Sequence, residues 1–372
     1  MNQYQSSRFM TLGLRSVALA SALCCASLAQ AQTSSVTLYG IVDAAVVSLT
    51  NQVGGTKNTI DSGQLSTSIW GVRGTEDLGG GLRATFNLES TLSVDTGASG
   101  NVYGAVATAT LFDRAAVVGL GGGFGAVNLG RQNHLGVGVI ALGDASGFAH
   151  AGTNPNVVYS LMNSGGLFGA YGANGGQTAF RQNNAVRYDT PNFSGFSASA
   201  MYAFGENATA TTSASSYSGV SGTYVNGPVG AGLAYAELKN GPGNQTLTLT
   251  DFGAKYAFSA VTLKATYSQS QVDAINRKIA VTGLGVDYAL SAATTLTGAY
   301  YNMKLSGATS GQANQFQIIG KYALSKRTTA FATLTQAKAD SSGAADQSMS
   351  GGMVVGTNSD ATRLAVGVRH IF

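Results

Sequence analysis

Apolar and polar side chains alternate with period 2 along most of the chain, which predicts β-strands with two unlike faces. In the last segment Leu364, Val366, Val368, His370 and Phe372 fall on one side, and Arg363, Ala365, Gly367, Arg369 and Ile371 on the other. Lys264, Thr266 and Ser268 alternate with Leu263, Ala265 and Tyr267, and Gln315, Gln317 and Lys321 with Phe316, Ile318 and Tyr322. The runs 36–49, 64–76, 82–93, 247–258, 278–289 and 360–372 are 12 to 14 residues long. Strands of soluble domains centre on ~5–6 residues, whereas a tilted membrane-crossing strand takes ~9–11. In a soluble sandwich the apolar face would be the core. In a membrane barrel it faces lipid and the polar face lines water. Length favours the barrel.

Lys255-Tyr-Ala-Phe-Ser, Asp287-Tyr-Ala-Leu-Ser and Lys321-Tyr-Ala-Leu-Ser recur at spacings of 32 and 34 residues. A propeller blade would fit four short strands into such a period. Here each period holds two long strands, one tight turn and one longer polar loop, the asymmetry of an outer-membrane hairpin array. With breaks at Asp77–Gly81, Gly121–Gly125 and Pro191–Gly195, the pattern predicts sixteen antiparallel strands in one domain, from Val36 to Phe372. A barrel of that size leaves an aqueous channel. Tyr256, Phe258, Tyr288 and Tyr322 precede short turns and, with Phe372, suit an interfacial aromatic girdle. One connection departs from the pattern. About fifty residues between Arg131 and Asn183 are rich in Gly, Ala and Asn, and a loop of that length is usually functional or disordered. Its apolar pieces (135–142, 157–161, 167–168) suit packing on the inner wall, so 132–182 is expected to narrow the lumen.

Residues 1–31 read as a signal peptide: Arg8 and Arg15, an apolar run from Val17 to Leu28, then Ala29-Gln30-Ala31. Both cysteines, Cys24 and Cys25, lie within it, so residues 32–372 have no disulfide and no thiolate chemistry. Removing the two arginines of this segment from the 21 Lys and Arg leaves 19 against 17 Asp and Glu, too balanced for nucleic-acid binding. Charged residues make up only 10% of the chain, below the ~25% of soluble domains. Glycine clusters at 79–81 and 119–125 lack a following Lys-Ser/Thr and open no helical pattern, so they read as turns rather than phosphate loops. No G-x-S-x-G occurs, His134, His150 and His370 form no metal-ligand spacing, and no cofactor is implied. A barrel enzyme is disfavoured on these grounds.

Further motifs carry a family likeness. Val36-Thr-Leu-Tyr-Gly-Ile-Val-Asp43, the run from Trp70 to Arg83, Leu111 to Leu120, Leu129-Gly-Arg-Gln132, Val186-Arg-Tyr-Asp-Thr-Pro191, Lys321 to Thr328 and Val366 to Phe372 stand in family order. The chain resembles the trimeric general porins of Gram-negative bacteria, most closely the beta-proteobacterial type. The resemblance implies an outer-membrane barrel with short periplasmic turns and long external loops, the third folded into the lumen. It implies a water-filled channel for passive diffusion of small hydrophilic solutes. It also implies a homotrimer set in outer-membrane lipid and lipopolysaccharide, and a terminal Phe372 read by the barrel-assembly machinery. Alternation turns Arg73 and Arg187 into the lumen, since a charge facing lipid at mid-depth costs ~2–4 kcal/mol, and Arg114 is assigned there for the same reason. With the resemblance, Arg73, Arg114 and Arg187, then Arg131, are the expected basic side of the constriction. Asp144 is the expected opposing charge. It is the sole acid of the long loop where many relatives have several, so a weak to moderate anion preference is expected. A substrate-selective porin and a structural or adhesive barrel remain as alternatives.

Overall fold

The computed structural model describes residues 34–52, 55–100, 110–148, 181–205, 213–308, 310–340 and 360–372. Residues 1–31, with Cys24 and Cys25, and most of the long connection, including 157–161 and 167–168, lie outside the described residues.

Seventeen strand segments form the wall among the described residues: β1 (Ser34–Gln52), β2 (Gly55–Ser62), β3 (Ile69–Gly79), β4 (Leu82–Thr91), β5 (Ala115–Gly122), β6 (Gly125–Asn133), β7 (Arg181–Asp189), β8 (Phe196–Ala203) and β9 (Tyr217–Asn226). The others are β10 (Val229–Lys239), β11 (Thr246–Phe258), β12 (Val261–Val272), β13 (Arg277–Ala289), β14 (Thr294–Gly307), β15 (Gly311–Ala323), β16 (Thr328–Ala339) and β17 (Asp360–Ile371). From β3 to β17 each pairs antiparallel with the next. β1 closes the ring: its outer half pairs with β17, from Ile41 opposite Ile371 to Leu49 opposite Arg363. On its other side β1 meets β2 along Ala44–Gln52 and β3 along Ser34–Ile41. β2 and β3 are therefore one wall strand with a gap, and the seventeen segments make a closed sixteen-strand barrel.

The gap corrects the continuous run 64–76 read from alternation. Residues 63–68 leave the ladder and wrap the Asp43 carboxylate. It accepts from the backbone N–H of Gln64, Leu65 and Ser66 at 2.9, 3.0 and 2.9 Å. Ser68 Oγ accepts from Asp43 N and donates to Asp43 O, both at 3.0 Å. One fully buried acid thus replaces the ladder bonds that the break removes.

The two faces separate cleanly. Val36, Leu38, Val118, Leu129, Leu233, Phe252, Leu284 and Val366 stand exposed on the outer face. Across the register, Asp43, Asp251, Ser268, Ser270, Gln315 and Thr335 point inward. Tyr256, Phe258, Tyr288 and Tyr322 are exposed on the outside, just before the short turns that end β11, β13 and β15. Gly79, Gly80 and Gly81 all have φ between 61° and 82°, the left-handed region that L side chains resist, so three glycines make the β3–β4 turn. The C-terminus is sewn into the closure. Phe372 and Gly40 exchange backbone hydrogen bonds of 3.1 Å in both directions. The Phe372 ring fills the space beside Gly40, where a Cβ would lie 2.4 Å from it.

The Asp43→Ala variant is expected to lose about 2–4 kcal/mol, because three buried N–H groups lose a charged acceptor. Guanidinium unfolding of the detergent-held barrel, followed by strand circular dichroism, checks this; an unchanged midpoint would show that 63–68 closes without the carboxylate.

Candidate functional site: the lumen wall and its inserted helix

The long connection leaves β6 and forms α1 (Leu135–Gly143) against the inner face of β10, β11 and β12. The sequence predicts an inward-folded loop here, without a helix. Leu-Gly-Val-Gly-Val-Ile-Ala-Leu-Gly has three glycines and no charge, a weak helix former by propensity. Docking makes it helical. Leu135, Gly136, Val139, Ile140 and Gly143 form one buried stripe at helical spacing. They join Tyr217, Leu238, Leu247 and Leu249 of the wall in an apolar core that lies inside the barrel. Contact is backbone to backbone: a Cβ on Gly253 would lie 2.1 Å from Val139 O, and one on Gly143 2.0 Å from Ala265 O.

Side chains fix both ends of the helix. His134 Nδ1 accepts from Gly136 N at 3.2 Å, and Leu135 N donates to Tyr217 Oη at 3.3 Å. Burial, reinforced by the Arg181 charge, pushes the His134 imidazole down to about 3. At the far end Asp144 is 1% exposed. Its carboxylate accepts from Tyr301 Oη (2.5 Å), Ser146 Oγ (2.7 Å) and Phe148 N (2.7 Å), and its carbonyl from Lys264 Nζ (3.4 Å). In this geometry Asp144 is a loop anchor on β14, with its charge enclosed.

Across the lumen, β3 to β7 carry a basic inner wall. Arg73, opposite Thr37 and Asn87, is exposed, with its guanidinium carbon 4.9 Å above the Tyr39 ring. Tyr39 Oη donates to Glu89 at 2.9 Å and lies 2.7 Å from the Asn87 side-chain amide, and the other Glu89 oxygen holds Arg114 Nε at 2.6 Å. Arg131 Nε donates to Asp113 O at 2.6 Å and its Nη1 to Asn183. The Asp113 carboxylate is engaged by Thr91 N and Oγ1 at 2.7 and 2.6 Å. Arg187 pairs with Asp189 two residues on, at 2.7 Å, and Ser199 Oγ donates to the same acid at 2.6 Å. Arg114 and Arg131 therefore meet in one cluster, Arg73 reaches it through Tyr39 and Glu89, and Arg187 forms a separate pair.

Arg181 and Tyr39 are members of this wall that the sequence leaves unassigned. Arg181, 4% exposed, donates from Nε to Arg114 O at 3.0 Å and joins the cluster from the root of the long connection. Asn184, with φ 53°, and a register shift between Gly130 and Gln132 interrupt the alternation just there, so face assignment by period 2 stops short of Arg181. Tyr39 and Glu89 do follow the alternation. An inward tyrosine placed to meet an inward glutamate two strands away was the available signal.

A closed sixteen-strand antiparallel barrel with an apolar outside, a charged inside and a helix docked within its lumen defines a porin-class channel. The chain belongs to the Gram-negative porin family, whose sequence profile matches residues 16–342. It is 32% identical to outer membrane porin protein 32 of Delftia acidovorans over 371 residues, covering 95% of this chain and 99% of that one. It is 31% identical to an outer membrane porin protein of Bordetella pertussis over 280 residues, covering 66% of each. Among solved structures, the anion-selective porin from Comamonas acidovorans superposes with a TM-score of 0.76 at 30% identity, over 91% of this chain and all of that one. A trimer form of OmpT from Vibrio cholerae shares the fold at 15% identity and a TM-score of 0.65, with 91% and 100% covered. The protein is thus an outer-membrane porin of a Gram-negative bacterium, forming a water-filled channel for passive diffusion.

Gly253→Leu is expected to push α1 off the wall and change unitary conductance; identical conductance would separate the helix from the conducting path. Acid should loosen the same helix. The docked state holds His134 neutral down to about 3, while the undocked loop protonates near 6.5, so docking weakens as pH falls through that window. The docking equilibrium shifts by up to about tenfold per pH unit. Open-channel noise is expected to rise between pH 7 and pH 4 and to lose that pH dependence in His134→Asn, which keeps a capping acceptor.

Proposed function

We propose that the channel passes small hydrophilic solutes with a weak to moderate preference for anions. Arg73, Arg114, Arg131 and Arg187 form the basic side of its constriction, buried Arg181 braces it through Arg114 O, and 132–182 narrows the lumen. The observation that carries this reading is the coupling of Arg73, Arg114, Arg131 and Arg181 on one stretch of inner wall. Of its two acids, Asp113 is held by Thr91 and Glu89 is shared between Tyr39 and Arg114, so the four guanidinium groups outnumber the carboxylates. Fixed guanidinium groups beside water attract anions, as charged rings do in other pores. The name of the Comamonas relative, an anion-selective porin, agrees with this sign. Asp144 contributes by anchoring the loop and little by its charge, because three donors enclose the carboxylate.

The same reading takes the channel as a homotrimer embedded in outer-membrane lipid and lipopolysaccharide, with the short turns periplasmic. The Phe372 ring against Gly40 supports a role for this residue in closing the barrel as well as in recognition by the assembly machinery.

In a planar bilayer with a tenfold KCl gradient, the reversal potential is expected on the anion side of zero, short of the ~59 mV limit of perfect selectivity for a monovalent ion. Arg73→Gln should move it toward zero. A cation-side reversal in the unmodified protein would overturn the anion reading, and silent insertion would overturn the channel itself.

A further inference from the structure

The repeated pentapeptide places its first residue on the inner face of alternate strands near the short-turn rim: Lys255 on β11, Asp287 on β13 and Lys321 on β15. The tyrosines that follow, 256, 288 and 322, face outward. Lys264 on β12 stands directly opposite Lys255 in register. Such partners have Cα atoms ~4.5–5.5 Å apart, and like charges so placed are destabilising. The lysine stems relieve this by diverging. Lys255 lies over Gly230, where a Cβ would come 3.0 Å from its Cε. Lys264 reaches the other way, to Asp287 at 2.9 Å.

Asp287 stands between two cations. Its second oxygen lies 3.9 Å from Lys321 Nζ and also accepts from Thr297 Oγ1. Arg369 of β17 completes the arc at the same level, two residues from its strand end. Its terminal nitrogens donate to neutral Ser66 Oγ (3.0 Å) and Thr329 Oγ1 (3.4 Å). Asp43, which faces Arg369 across the β1–β17 ladder, is committed to the three N–H groups of the 63–68 break. Among the described residues, four cations therefore line one arc of the inner wall against two acids: Asp287, shared by Lys264 and Lys321, and Asp43, committed to the 63–68 break. Lys326 and Arg327 in the adjoining β15–β16 turn add positive charge at the same rim. This arc lies on β11 to β17, across the lumen from the arginine wall of β3 to β7.

We propose that the short-turn mouth holds a second anion station, in which Lys255, Lys264, Lys321 and Arg369 bind a multivalent oxyanion of the inorganic phosphate class. Excess charge on flexible ammonium stems suits an ion with several acceptor oxygens, which can collect charge-assisted bonds from more than one strand. A monovalent ion passing the same arc gains less and leaves faster. The station rests on the channel reading and deepens it, giving the pore a sided preference for multivalent oxyanions.

The test is a single-channel chloride current with inorganic phosphate added to one side at constant pH. Orientation is read from a Lys326→Cys variant labelled by an impermeant thiol reagent. Phosphate from the short-turn side is expected to reduce chloride conductance at lower concentration than phosphate from the other side. The Lys255→Gln/Lys321→Gln double variant should need about tenfold more, the equivalent of ~1.4 kcal/mol. If the double variant fails to insert, Lys255→Gln alone should move the same value in the same direction. Chloride current with a phosphate effect equal from both sides, or unchanged in the variants, overturns the station and leaves the channel standing. Absence of current overturns both.

Discussion

Between the two rims every backbone N–H and C=O must find its partner within the wall, because hydrocarbon offers none. This requirement explains the crowded pairing of β1, which contacts three segments: β17 on one side, β2 and β3 on the other. It also explains why the interruption at 63–68 turns inward. A break facing lipid would strand its donors, whereas a break facing the lumen can be closed by an acid, and Asp43 supplies three acceptor contacts where the ladder stops. The same logic governs the end of the chain, where Phe372 continues the ladder past β17 and its ring occupies the place of the side chain that Gly40 lacks.

A barrel wall one strand thick has no interior of its own, so the apolar core forms in the lumen. The α1 helix has too short and too glycine-rich a sequence to persist alone. The wall in turn presents Gly253 and small neighbours that would otherwise leave a groove. Each supplies the surface the other lacks, and Tyr217 and Tyr301 hold the two ends through their hydroxyls. The inserted segment is therefore positioned by wall side chains from β9 to β14 as well as by its own sequence.

The strands were legible because period 2 survives wherever one face meets lipid and the other water. The ends of β11, β13 and β15 were legible because the repeated Tyr and Phe mark the same depth each time. Three things were not. The gap at 63–68 keeps alternating composition, and only the inward carboxylate of Asp43, distant in sequence, breaks the ladder there. The helix at 135–143 has no amphipathic signature, because its second face is apolar too and its environment is supplied by strands a hundred residues away. Arg181 sits beyond an αL residue at Asn184 that upsets the parity on which face assignment depends. In each case the deciding contact is non-local.

The charged groups of the lumen are held in two ways, and the difference bears on how selectivity arises. Glu89, Asp113 and Asp144 are each held by hydroxyl or backbone donors in addition to any cation, which fixes them in place and fills their lone pairs. The arginines beside them are held by both kinds of acceptor: Arg114 and Arg187 by the carboxylates of Glu89 and Asp189, Arg131 by Asp113 O and Asn183. A guanidinium fixed by a carbonyl keeps its full charge, whereas one fixed by a carboxylate is neutralised as a pair. Orientation and neutralisation are thereby separated, and a wall with nearly balanced composition can still present a positive field to the water it encloses. Net charge summed over the chain says little about such a channel; the partner that holds each cation decides it.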